Sequence, residues 1–138
     1  MVAARAEKTI LRSADDVWAR IGDFGDLSWV PGVESVALEG DERSIRMRGL
    51  SITNVQRLLS HDDASRSYSY CVAGELDLSS VLGPGKVMRH LEATLTVTPT
   101  GALSSNVTHD VDTEEFLVEG TRAEYQRALD SVKAELEG

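Results

Sequence analysis

Towards the C-terminus, Phe116, Leu117, Thr121, Tyr125, Ala128, Leu129, Val132 and Leu136 recur at steps of three and four, the spacing of one helical face. The pattern predicts a long amphipathic helix within residues 112–138. Asp112 or Thr113 can cap it, and Glu114 and Glu115 suit the positive end of its dipole. Some 24 residues at about 1.5 Å each make a rod roughly 36 Å long. Gly120 disfavours a helix interior by about 1 kcal/mol, and Thr121-Arg-Ala-Glu124 has the form of a capping box. Two readings stay open. Either the helix starts near Thr121, or it runs on unbroken and Gly120 makes room for a ligand or a strand. The Glu and Leu content on both sides favours the second.

The remainder alternates as strands do. Residues 2–12 predict a first strand. Ser13 then begins a capping-box pattern, and Val17, Trp18, Ile21 and Phe24 mark the buried face of a short helix. A second short helix or turn covers residues 27–30, stopped by Pro31-Gly32. Strands follow at 33–40, 44–50, 51–61, 67–73, 87–99 and 104–112, with Asp41-Glu-Arg43 read as a polar turn and 74–86 as irregular. Ile45 and Met47 alternate with Arg46 and Arg48, which puts those arginines in solvent. Tyr68, Tyr70 and Val72 share a face. So do Val87, Arg89, Leu91, Ala93, Leu95 and Val97, and so do Val107, His109 and Val111.

Strands joined by short turns make an antiparallel sheet whose apolar face needs a cover, and only the terminal helix is long enough. The fold class is therefore α+β. A curved sheet of about seven strands wraps a long C-terminal helix, with two short helices after the first strand, in one domain over residues 1–138. An apolar cavity is expected between sheet and helix.

Composition narrows the function. Lys plus Arg number 14 and Asp plus Glu 23, a formal charge of −9, which disfavours nucleic acid and anionic membranes. Cys71 is alone, so no intrachain disulfide forms and a reducing, cytoplasmic setting is expected. No apolar run is long enough for a membrane span, and the first residues lack a signal peptide's apolar core. No phosphate loop, metal-ligand spacing or nucleophile elbow is present, so neither cofactor nor metal is expected. His109 and Asp110 are adjacent in a strand, point to opposite faces and cannot form a dyad.

Several polar residues share faces with apolar ones. Arg89, in phase with Leu91 and Ala93, reads either as a handle for a carboxylate, enolate or phenolate on an apolar ligand, or as a strand-mouth cation that snorkels to water. His109 reads as a ligand contact or as a satisfied core or surface histidine. Glu124 lies on a stripe with Leu117, Gly120 and Ala128, where desolvation would raise its pKa; alternatively Tyr125 faces inward and Glu124 is solvated. Tyr68 and Tyr70 can orient a ligand carbonyl or find buried partners. Trp29 is expected near the cavity entrance, and His61 and His90 in solvent. With Met47, these residues make the candidate lining: Trp29, Met47, Tyr68, Tyr70, Arg89, Leu91, His109, Leu117, Gly120 and Glu124.

The chain resembles the START-like, or Bet v 1-like, superfamily with a helix-grip fold, and within it the polyketide cyclase/dehydrase and lipid-transport group. The resemblance is carried by Ser13-Ala-Asp-Asp-Val-Trp18, Asp23-Phe24-Gly25, Trp29-Val-Pro-Gly-Val-Glu-Ser-Val36, Leu95-Thr-Val-Thr-Pro99 and Tyr125-Gln-Arg-Ala-Leu-Asp-Ser-Val-Lys133. It implies a cavity for an apolar small molecule. Two loops are similar to those of plant abscisic acid receptors: Gly49-Leu50-Ser51 in the place of the gate, and the segment with Gly83, Pro84 and Gly85 in that of the latch. Here the gate lacks the proline after Gly-Leu, the latch region reads Met88-Arg89-His90-Leu91, and the hormone-gripping lysine falls near Val30. The implied feature is the pocket, not the hormone.

The leading expectation is binding of a small hydrophobic molecule such as a lipid, polyketide or aromatic metabolite, for sequestration, transport or sensing. A cyclase or dehydratase working through Arg89, His109, Tyr70 and Glu124 is the alternative. A protein-interaction module built on the two loops is the third. Monomer and homodimer both stay open.

Overall fold

The computed structural model describes residues 3–138. Val2, the expected first residue of the first strand, lies outside the described residues. The elements run β1 (Ala4–Ile10), α1 (Ala14–Ile21), β2 (Val33–Glu39), β3 (Glu42–Met47), β4 (Thr53–Asp62), β5 (Ser67–Val72), β6 (Leu76–Asp77), α2 (Ser79–Leu82), β7 (Val87–Met88), β8 (Leu91–Gly101), β9 (Ser104–Thr113) and α3 (Glu115–Glu137). Seven strands form one antiparallel sheet in the order β1-β9-β8-β5-β4-β3-β2, while β6 and β7 pair in a separate ribbon. Irregularities at Val33/Ser35, Leu58/Ser60 and Pro99/Gly101 bend the strands so that the sheet curves about α3.

Local signals explain most boundaries. The Ser13 hydroxyl accepts the Asp16 amide at 3.1 Å and starts α1. Of the two short helices expected after β1, the first forms. The second is a turn, closed by the Val30 amide on the Leu27 carbonyl at 2.9 Å. The expected turn at Asp41-Glu-Arg43 is tighter, because β3 already begins at Glu42. The irregular stretch 74–86 contains β6 and α2.

α3 runs through Gly120 without a break, so the helix is continuous and does not start near Thr121. Its cap is Glu114 rather than Asp112 or Thr113, and the Glu114 carboxylate makes no capping bond. It instead accepts the Arg89 amide at 2.6 Å and the His90 amide at 3.0 Å. Two backbone amides drawn to one carboxylate turn the chain between β7 and β8, so the strand expected over 87–99 is split there.

The core lies at one end of the helix. Ala128, Leu129 and Val132 are the buried residues of α3, all in its C-terminal half, against a cluster that includes Ile10, Val17, Ile21, Leu95 and Val107. Full burial of a side chain the size of Leu129 or Val132 contributes about 1.5–3 kcal/mol. No residue of the N-terminal half of α3 is buried. The helix is anchored most firmly through its C-terminal half, while its N-terminal half touches the core through the part-buried Leu117, Val118 and Tyr125 and spans open space between them and the sheet. Among the described residues, no helix is long and apolar enough to cross a membrane.

Candidate functional site

Beneath that bridging half of α3 is a cavity of about 360 Å³, within the ~300–1,000 Å³ range of small-molecule sites. Trp29, Ile45, Met47, Leu91 and Leu117 give it apolar walls. Leu50, Val81, Leu82 and Phe116 also line it but are 37% to 48% exposed, which marks the mouth. Gly120 lines it as well, and a Cβ placed there would meet nothing within 4 Å.

The polar groups are few and placed by strand alternation. On β3, Arg43 shares the inward phase with Ile45 and Met47. It is only 2 % exposed. Its Nε donates to Gln56 Oε1 at 2.8 Å and its Nη1 to the Phe24 carbonyl at 2.9 Å. The guanidinium lies 4.1 Å from the Phe24 ring centre and 4.7 Å from that of Tyr70. All these partners are neutral. On β4, Asn54 and Gln56 follow the same inward phase, and Asn54 Oδ1 is buried without a hydrogen bond.

Tyr70, His109 and Tyr125 come from β5, β9 and α3. Tyr70 is opposite the small Ala93 on the intervening β8, which leaves its ring free to reach across. Its hydroxyl lies 2.8 Å from His109 Nε2 and 2.9 Å from the Tyr125 hydroxyl. His109 Nδ1 is buried and unpaired. An unpaired lone pair is better tolerated than an unpaired N–H, which assigns the imidazole proton to Nε2. Nε2–H then donates to Tyr70, Tyr70 donates to Tyr125, and the Tyr125 hydroxyl proton remains for the cavity.

The environment moves these groups away from neutral-pH proton transfer. Burial first, and the Arg43 cation second, lower the His109 pKa to about 3, so the ring is neutral. Burial raises Tyr125 to about 12 and holds Tyr70 well above its ordinary value. Burial also raises Tyr68, against the pull of Arg43. Glu124 stands on the cavity wall with part of its surface accessible; desolvation raises its pKa and Arg127 opposes the shift. The cluster is therefore a set of neutral hydrogen-bond donors beside one cation.

Nine of the ten expected lining residues do reach the cavity: Trp29, Met47, Tyr68, Tyr70, Leu91, His109, Leu117, Gly120 and Glu124. Arg89 does not. Because the chain turns at Arg89 and His90, its side chain leaves the face of Leu91, is 64 % exposed and pairs with Glu75 at 3.3 Å. Tyr125 and Glu124, set against each other in the sequence, both line the wall. Of the two loops, Leu50 contributes to the lining; Gly49, Ser51, Gly83, Pro84 and Gly85 do not. His90 is exposed, with Nε2 3.0 Å from Asp112. His61 lies at the surface as expected, yet it bonds the Gly22 carbonyl at 2.8 Å and stacks on Tyr68.

Arg43, Asn54 and Gln56 were not anticipated. The signal for Arg43 was present, since it stands two residues before Ile45 in strand phase; assigning it to a turn hid it. Among the described residues, no group of three or more His, Cys, Asp or Glu side chains is placed to hold a metal.

A model of the family described as polyketide cyclase/dehydrase and lipid transport matches residues 1–137. Among solved structures, an uncharacterised protein from Bacillus thuringiensis is 20% identical, with 98% of each chain covered and a TM-score of 0.83. The protein XoxI from Bacillus cereus is 21% identical over 100% of this chain and 99% of its own, with a TM-score of 0.82. Norcoclaurine synthase from Thalictrum flavum, solved in complex with dopamine and hydroxybenzaldehyde, is 18% identical over 97% of this chain and 86% of its own, with a TM-score of 0.66. At these identities the likeness is one of fold, the Bet v 1-like helix grip. The comparison with curated proteins returned no match.

Proposed function

Because the chain belongs to the polyketide cyclase/dehydrase and lipid-transport family, we propose that it binds one small, largely apolar molecule in the space between α3 and the sheet. The observation that carries this reading is the half-supported helix. The buried residues of α3 are Ala128, Leu129 and Val132; its N-terminal half packs only through the part-buried Leu117, Val118 and Tyr125, and it leaves about 360 Å³ of apolar-walled space under Leu117 and Gly120. Natural interiors are close-packed, so a void of this size under a whole helical turn is a cost without an occupant.

Binding is favoured over catalysis by the state of the polar groups. An acid–base catalyst works best with a pKa near the operating pH, whereas burial moves His109, Tyr70 and Tyr125 away from it. The relay orients and polarises a ligand oxygen; it does not shuttle protons. The cyclase or dehydratase reading loses Arg89 from its set of residues as well.

The test is uptake of an apolar fluorophore. N-phenyl-1-naphthylamine titrated into the protein is expected to brighten and shift to the blue, saturating at one molecule per chain. No change up to the solubility limit of the dye would overturn the reading.

A further inference from the structure

Arg43 is a cation enclosed with no anion to meet. Its Nε donates to the Gln56 side chain and its Nη1 to the Phe24 carbonyl and, at 3.5 Å, to the Tyr68 hydroxyl, all neutral, while Nη2 has no partner among the described residues. No carboxylate among the described residues pairs with it. Glu124, the acidic side chain on the cavity wall, forms no hydrogen bond or ion pair with it; the cation beside Glu124 is Arg127. The faces of Phe24 and Tyr70 offset part of the desolvation. A buried cation held by dipoles and rings alone remains short of a counter-charge. On the same wall, Tyr125 has a hydroxyl proton with no protein acceptor once the relay from His109 is assigned. The mouth residues Leu50, Val81, Leu82 and Phe116 are by contrast apolar. The cavity is polar and cationic at its enclosed end and apolar at its open end.

Resting on the cavity reading above, we infer that the bound molecule is an organic acid: an apolar body with one anionic oxygen group, seated with that group on Arg43 and its apolar part towards Leu50, Leu82 and Phe116. The anionic oxygen comes from a carboxylate or from an ionised phenol or enol. Both offer the guanidinium a charge-assisted acceptor. The net charge of −9 means that this recognition is local, made by one enclosed cation in an otherwise anion-repelling protein.

The experiment uses matched pairs of probes that displace N-phenyl-1-naphthylamine at pH 7.5. One pair is 2-naphthoate against methyl 2-naphthoate; the other is 6-cyano-2-naphthol against its methyl ether. The acid member of at least one pair is expected to bind roughly tenfold to a hundredfold more tightly than its neutral analogue, the range for a hydrogen bond to a charged group. Which pair shows the preference separates carboxylate from phenolate, and the absorbance of the bound naphthol reports its ionisation directly. In Arg43→Met the preference is expected to vanish while the fluorophore still binds. Arg43→Lys, which keeps the charge, is expected to retain part of it. Equal affinities within both pairs would overturn the inference and leave the cavity reading standing. Failure of every probe, the fluorophore included, would overturn both. An undiminished acid preference in Arg43→Met would remove Arg43 as the anchor. Should that variant lose its cooperative unfolding transition, the wild-type pairs and Arg43→Lys decide.

Discussion

The imidazole of His109 lies flat against the ring of Tyr125, with ring centres 3.6 Å apart and planes 6° apart. This stack fastens β9 to the part of α3 that spans the cavity, and burial keeps its imidazole neutral. The folded pKa of about 3 is below the ordinary 6.5, so between those values the unfolded chain binds the extra proton. Stability from this group is complete above about pH 6.5 and falls as pH drops towards 3, by up to about 1.4 kcal/mol per unit. Urea unfolding at pH 7.5, 6.0 and 5.0 is expected to show a shallower decline for His109→Gln than for the wild type. Parallel declines would remove His109 as the source.

Tyr70 and Tyr125 should respond differently to loss of the hydroxyl. Tyr70→Phe strands His109 Nε2 and Tyr125 in a buried site, at a cost of about 1–3 kcal/mol. Tyr125→Phe removes the last member of the relay and leaves the Tyr70–His109 bond intact, so its cost is expected below that of Tyr70→Phe. Ligand affinity should show the reverse order, since Tyr125 holds the proton that faces the cavity. Denaturation and fluorophore titration of both variants check the two orders together.

Gly120 separates ligand binding from stability. It sits in mid-helix with open space where a Cβ would go. Gly120→Leu is expected to gain up to about 1 kcal/mol from helix propensity while its side chain occupies the cavity. A rise in melting temperature with loss of fluorophore uptake is the expected result.

Glu114 is expected to control the bend between β7 and β8. Removing its carboxylate in Glu114→Ala frees the amides of Arg89 and His90. Hydrogen exchange at those two amides should accelerate, with little change in the β8–β9 ladder. Glu114→Gln keeps an acceptor oxygen and should restore part of the protection.

The periodicities of 3.6 and 2 are local properties, and what depends on them alone was legible in the chain. They mark a long terminal helix, with its start at Gly120 left open, give the inward phase of Tyr68, Tyr70, Leu91 and His109, and require a cover for the sheet's apolar face. The order of strands, and so which inward side chains meet, is a long-range outcome. Tyr70 touches His109 39 positions away and Tyr125 55 positions away. That junction exists because β8 enters between β5 and β9 with Ala93 opposite Tyr70, a register set by closing the sheet about the helix. The exchange of the two arginines has the same origin. Arg89 kept its strand phase on paper, but the Glu114 carboxylate, 25 positions away, captured its amide and turned it out. Arg43 sat at a polar corner until pairing of β3 with β2 and β4 carried the strand back to Glu42 and turned it in. Alternation decides which face a residue can occupy; only tertiary contacts decide where the strand carrying that alternation begins and ends.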